Sequence, residues 1–168
     1  MSIPMTRAFA GAFLFATLTL LGCSRSTTTD SGGSTPRVND GACIKPDANA
    51  RNNILTALFQ ASSGDTVLLC EGKFDMPTGL LINSKPGLTL KGAGMKKTIL
   101  SFAKSDSAEG INASYSDGLV LQDFTVEDTP GNGIRVFRSR YITIRGVRAR
   151  WHDAAGRDET DADRKSVV

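Results

Sequence analysis

The sequence predicts an all-β chain wound as a parallel β-solenoid, with one helix over its N-terminal end. Three observations carry that prediction. Apolar-x-apolar triplets recur every twenty-odd residues, Gly, Asn, Asp and Ser punctuate the intervals, and a single amphipathic stretch precedes the first triplet. Short strands that each cover only their neighbours give this pattern.

Taken in chain order, residues 1–22 read as an export signal: a basic start ending at Arg7, then an apolar run from Ala8 to Leu21 that is too short for a comfortable membrane span. The end of that run, Leu20-Leu21-Gly22-Cys23, resembles the lipobox of bacterial lipoproteins. The resemblance implies cleavage before Cys23, a diacylglyceryl group on its sulfur, and a membrane as partner through that lipid. Ser24 resembles the pattern that routes a lipoprotein to the outer membrane, so the expected location is the cell envelope, facing the periplasm or the surface. Several acyl chains anchor stably where one is marginal. A plain secretory signal is the alternative, but it leaves Cys23 as an unexplained thiol in an exported protein. Residues 23–42 are rich in Ser, Thr, Gly and Asp, lack apolar periodicity, and read as a flexible linker.

The folded part is expected over residues 43–156. Without the signal, 19 basic residues face 17 acidic ones, a balance too even for a nucleic-acid binder. With Cys23 acylated, Cys43 and Cys70 remain, and an oxidising compartment favours their pairing over a loop of 27 positions. Such a crosslink is worth about 3–4 kcal/mol in the chain-entropy account. No His or Cys neighbours supply ligand spacing for a metal at these cysteines, and no cofactor is expected.

Between Asp47 and Ala61, Ile54, Leu55, Leu58 and Phe59 fall on one helical face, with Asp47 or Asn49 available as N-cap. This helix is expected to close the open end of the first coil, where bare strand edges invite pairing. Beyond it the repeat emerges. A shift of 23 superposes Ile111 on Ile134, Ala113 on Val136, Leu119 on Ile142, Leu121 on Ile144, Phe124 on Val147 and Val126 on Ala149. A shift of 31 carries Leu80, Ile82, Leu88 and Leu90 onto the same columns, and Val67 and Leu69 are placed 21 residues before Leu88 and Leu90. Alternate residues of each triplet should point into the bore. Each fully buried aliphatic side chain is worth roughly 1.5–3 kcal/mol. Surface ion pairs, at about 0–1 kcal/mol each, are minor beside that.

The stretch "LTLKGAGMKKTILSF" from Leu88 is therefore strand, turn, strand. Its Gly92-Ala93-Gly94 has Lys97 where a dinucleotide fingerprint needs a third glycine, and a β-branched strand follows in place of a helix. No nucleotide is expected there.

The segments "SGDTVLLCEGKF", "LTLKGAGMKKTILSF" and "FTVEDTPGNGIRVF" resemble the opening coils of bacterial lipoproteins with right-handed parallel β-helix repeats, within the pectate-lyase-like superfamily. The resemblance covers roughly Asn49 to Trp151 and implies a right-handed parallel β-helix, an envelope location and a connection with carbohydrate. After Trp151 the repeat stops. Residues 157–168 read as an irregular, non-native tail, because Asp163 to Val168 can be back-translated into a common sequencing adapter; the chain is then a fragment, and any active site on later coils is missing.

The last coil carries Arg135, Arg145, Arg148 and Arg150 at outward positions, Arg138 and Arg140 in a turn, and Trp151 at its end. Cations beside an aromatic platform suit an acidic polysaccharide, and Arg135, Arg145, Arg148, Arg150 and Trp151 are the candidate glycan-binding residues. Glu127 lies 23 residues before Arg150, so cross-strand ion pairs on a solvated face are the simpler reading of some of these arginines. No carboxylate pair stands out for acid–base chemistry; in the lyases that the chain resembles, acidic residues hold calcium and an Arg or Lys abstracts the proton, so the resemblance points to Asp123 or Glu127 with Arg145 or Arg148, and His152 stands beside Asp153. None of them is assigned a catalytic role. Three functions fit: an anchored glycan-binding protein, a polysaccharide lyase, hydrolase or epimerase, and a scaffold for an envelope protein partner.

Overall fold

The triplets form strands, and the strands stack. A computed structural model describes residues 41–152 and Gly156, all within one unit spanning residues 33–168. These described residues comprise α1 (Ala50–Gln60), β1 (Thr66–Leu68), β2 (Gly72–Asp75), β3 (Leu80–Asn83), β4 (Thr89–Lys91), β5 (Thr98–Ser101), β6 (Ile111–Ser114), β7 (Val120–Glu127), β8 (Ile134–Phe137) and β9 (Thr143–Arg150). The signal at 1–22, Cys23, the linker up to residue 40 and the tail at 157–168 lie outside them.

Every strand pairing is parallel, and the chain makes a solenoid of about 3 turns. One wall is β3-β6-β8; β1, β4, β7 and β9 make the second, and β2, β5 and the far halves of β7 and β9 make the third. Strands β7 and β9 serve two walls because each turns a corner at one left-handed residue, Asp123 (φ 63°) and Gly146 (φ 59°). A Cβ on Gly146 would stand 2.6 Å from Asp123 Oδ1, so the corner residues stack as the 23-residue shift requires.

The inward columns match the repeat. Ile111 pairs with Ile134, Ala113 with Val136, Leu121 with Ile144, Phe124 with Val147 and Val126 with Ala149. One coil earlier, Leu80 pairs with Ile111, Ile82 with Ala113 and Leu90 with Leu121. Leu119 is fully buried, and Ile142 packs on the same core beside it, with Thr143 N donating to Leu119 O at 2.9 Å. The coil of 31 is longer than the coil of 23 by five residues in the turn Gly92–Lys97 and three in the loop after β5.

That turn explains the glycines. Gly92 N and Gly94 N donate to Gln122 O and Asp123 O at 3.0 and 2.9 Å, and a Cβ on Gly92 would lie 2.3 Å from Asp123 O. The amides serve the neighbouring coil. Thr125 Oγ1 donates to Met95 O at 2.6 Å, so the same turn drapes over an outward residue of β7 and buries it.

Two expectations need correction. Val67 pairs with Leu90, a shift of 23 and not 21, and Leu69 N reaches Lys91 O at 2.8 Å. A slip of two residues keeps every side chain on its face, so apolar alternation alone cannot detect it. The turn glycines can: Gly64, Gly87 and Gly118 all have left-handed φ (86°, 68°, 75°) and stack directly, which fixes the first shift at 23. In α1 the buried residues are Ala50, Ile54, Ala57 and Leu58, whereas Phe59 is 84% exposed. Asn49 occupies the N-cap without a side-chain cap bond; Asp47 Oδ1 instead accepts Asn49 N at 2.8 Å. At the other end Lys85 Nζ donates to Phe59 O and Ala61 O, both at 2.8 Å, placing a cation on the helix's free carbonyls.

The expected disulfide is present between Cys43 and Cys70. Around it Ile44 N donates to Leu68 O (2.8 Å) and Cys70 N to Ile44 O (2.9 Å), which ties the segment before α1 to the first coil.

Candidate ligand-binding wall

The arginines of the last coil do not share one patch. Arg135 lies on β8, whereas Arg145, Arg148 and Arg150 lie on β9 either side of the Gly146 corner, so together they encircle the coil. Most reach down to the coil below. Arg135 Nη1 meets Glu109 Oε1 at 3.0 Å, Arg140 meets Asp117 at 2.8–3.2 Å through its backbone and guanidinium nitrogens, and Arg145 donates to Gln122 Oε1 at 2.7 and 3.0 Å. Gln122 Nε2 in turn donates to Asp123 Oδ2 at 2.9 Å, which links Arg145 to the corner carboxylate. Backbone and guanidinium nitrogens of Arg140 hold the Asp117 carboxyl below its usual range. Arg148 Nε is buried without a hydrogen-bond partner. Trp151 is enclosed at 8% exposure, with its indole N–H on Thr129 O at 2.7 Å, and presents no open ring face to a sugar.

Arg150 belongs to a denser cluster. Its Nε and Nη2 donate to Glu127 Oε2 at 2.9 and 2.7 Å, and Lys73 Nζ lies 2.7 Å from Oε1. Glu127 points outward from β7, yet its side chain is only 1% exposed beneath these two cations. Burial pushes its carboxyl up, but the hydrogen bonds from Lys73 and Arg150 outweigh burial and hold it below the ordinary value. The same contact raises Lys73. One residue on, Asp128 accepts His152 N at 2.8 Å and lies 2.9 and 3.0 Å from His152 Nδ1. Ligand atoms of Glu127, Asp128 and His152 fall within 4.8 Å of one another. A divalent ion there would compete with cations already seated on Glu127, so the geometry favours an internal network that fastens β9 to β7 and reaches back to β2 through Lys73.

A native carboxyl below its unfolded value of about 4.3 stabilises the fold above that value and loses its contribution as pH falls through the native one. Glu127→Gln should therefore cost about 2–3 kcal/mol at pH 7, the low end for a broken buried pair because Lys73 keeps 56% of its side chain in water. Urea unfolding at pH 7 and pH 3 checks this: the gap between wild type and variant should narrow at the acid value.

The feature that the arginine count overlooks is aromatic. Of the six large apolar side chains exposed among the described residues, Phe59, Leu81, Tyr115, Phe137 and Tyr141 lie along the β3-β6-β8 wall or the segments bordering it; Met95 is the sixth. Asn83, Ser114 and Phe137 form one outward column, with Ser114 Oγ donating to Asn83 Oδ1 at 2.8 Å. Beside it Ser84, Tyr115 and Arg138 stack at left-handed φ of 55°, 51° and 48°. The Arg138 guanidinium stands 5.0 Å from the Phe137 ring and 5.7 Å from the Tyr115 ring, donates to Tyr115 Oη at 2.5 Å, and forms no salt bridge among the described residues. Tyr141, 83% exposed, takes the left-handed turn position (φ 59°) that Gly64, Gly87 and Gly118 occupy in the other coils. A side chain there costs on the order of 1 kcal/mol. Aromatic residues at turn positions that elsewhere carry Gly or Ser are the sequence signal for this wall.

Fold and surface together define a parallel β-solenoid with one aromatic, cationic wall. Family models, curated proteins and solved structures all lack a match to the chain.

Proposed function

We propose that this chain is an exported lipoprotein, anchored through Cys23, that holds an acidic polysaccharide of the cell envelope against its β3-β6-β8 wall. The carrying observation is the Arg138 guanidinium, without a carboxylate partner among the described residues and flanked by the exposed rings of Tyr115 and Phe137, with the exposed Tyr141 three residues further along the chain. Apolar faces of sugar rings stack on such rings, a carboxylate or phosphate of the chain pairs with Arg138, and Ser114 offers a hydrogen bond to a hydroxyl. The resemblance of the segments "SGDTVLLCEGKF", "LTLKGAGMKKTILSF" and "FTVEDTPGNGIRVF" to opening coils of the pectate-lyase-like superfamily supports the reading. Arg145 and Arg150 assist as a field of positive charge, since their guanidinium groups are engaged with Gln122 and Glu127 of the coil below.

The test is affinity electrophoresis and a glycan array on the mature chain. Phe137→Ala, Tyr141→Ala and Arg138→Ala should each weaken binding to acidic glycans by about 2- to 10-fold, with little change in stability. Absence of binding to every acidic glycan, with capture of a single envelope protein by the same wall, would replace this reading with that of a protein scaffold.

A further inference from the structure

We infer that the lid end of the solenoid seats on a lipid bilayer through Leu55, Phe59 and Leu81, an inference that rests on the anchoring at Cys23 proposed above. The lid is built to bury one face only. Ala50, Ile54, Ala57 and Leu58 close the bore, while Phe59 is 84% exposed and Leu81 57% exposed on either side of a groove of about 440 Å³ that Leu55 also lines. No carboxylate lines it. Lys85, its one cation, is held on Phe59 O and Ala61 O and so fixes the helix end that carries Phe59. An apolar rim free of acidic groups suits the anionic, water-to-hydrocarbon boundary of a bilayer, where an exposed Phe and two Leu gain burial.

Chain length supplies the second argument. Twenty residues, 23–42, separate the lipid from the disulfide that begins the folded part, and α1 is its first element. With the lipid on Cys23, a fold that begins 20 residues later is confined to the neighbourhood of the bilayer, which raises the local concentration of membrane around it. A contact far too weak to recruit the free domain then suffices to orient the tethered one. The lid faces the membrane, and the aromatic wall leads away from it.

The test uses the full acylated chain in phosphatidylethanolamine/phosphatidylglycerol vesicles doped with dibrominated phosphatidylcholine, whose bromines quench tryptophan on contact. Phe59→Trp should lose most of its added emission in brominated vesicles, and Tyr141→Trp should lose none; Trp151, enclosed in the wild type, provides the baseline. Acylated chain whose Phe59→Trp emission ignores bromine overturns the seating while anchoring stands. Mass spectrometry showing an unmodified Cys23 overturns the anchoring and the seating with it. An emission shift that follows protein concentration and not bromine would place a second copy on the groove, against the inference.

Discussion

Phe124→Ala should be the most damaging single truncation, lowering stability by about 3–5 kcal/mol. Phe124 is fully buried in β7, pairs with Val147 in β9, and sits one residue past the Asp123 corner where two walls meet. A Cβ on Gly92 would approach its Cβ to 3.0 Å, so backbone from the preceding coil packs against it and cannot collapse far into the space left by the ring. Cavities that cannot relax carry the largest penalties. Urea unfolding should show the loss, while Phe137→Ala, a ring of the same size that is 47% exposed, should stay within about 0.5 kcal/mol. Equal effects at the two positions would mean that Phe124 is not inside.

Removing the disulfide by Cys43→Ser with Cys70→Ser comes next, at about 3–4 kcal/mol. Its effect should be uneven along the solenoid. The bridge joins the two ends of a 27-residue span that contains all of α1 and β1, and the hydrogen bonds of Ile44 to Leu68 and Cys70 stand next to it. Hydrogen exchange in the variant should therefore speed up first at the amides of Ile54 to Leu58, with β6 to β9 protected nearly as before, because each coil depends chiefly on its neighbours. Uniform loss of protection over all coils would contradict that local coupling.

Much of the fold was legible because burial alternates with period two and stacked coils repeat their apolar columns. The columns from Leu80 through Ile111 to Ile134 and from Leu90 through Leu121 to Ile144 stand as read. What escaped follows from the same physics. The slip at Val67 preserves face, so only the stacked glycines reveal it. Phe59 fits the apolar stripe of a helix, but Leu58 and Ile54 already fill the contact with the bore, and the stripe is wider than the surface beneath it. Glu127 is outward by parity and buried in fact, since Lys73, 54 positions earlier in sequence, is brought over it by parallel stacking that no local pattern encodes. The surroundings of the outward arginines escaped for a related reason. Counting arginines found residues that mostly pair with the coil below, whereas Tyr115, Phe137 and Tyr141 are set apart only once their turn positions are aligned.

Stacking in this register is the claim on which wall, lid and groove all depend, and methyl NOE spectroscopy of the folded domain reads it directly. Leu90, Leu121 and Ile144 should give sequential methyl cross-peaks, Leu90 to Leu121 and Leu121 to Ile144, with none between Leu90 and Ile144. Missing contacts between Leu121 and Ile144, or a direct cross-peak between Leu90 and Ile144, would contradict the stacked coils.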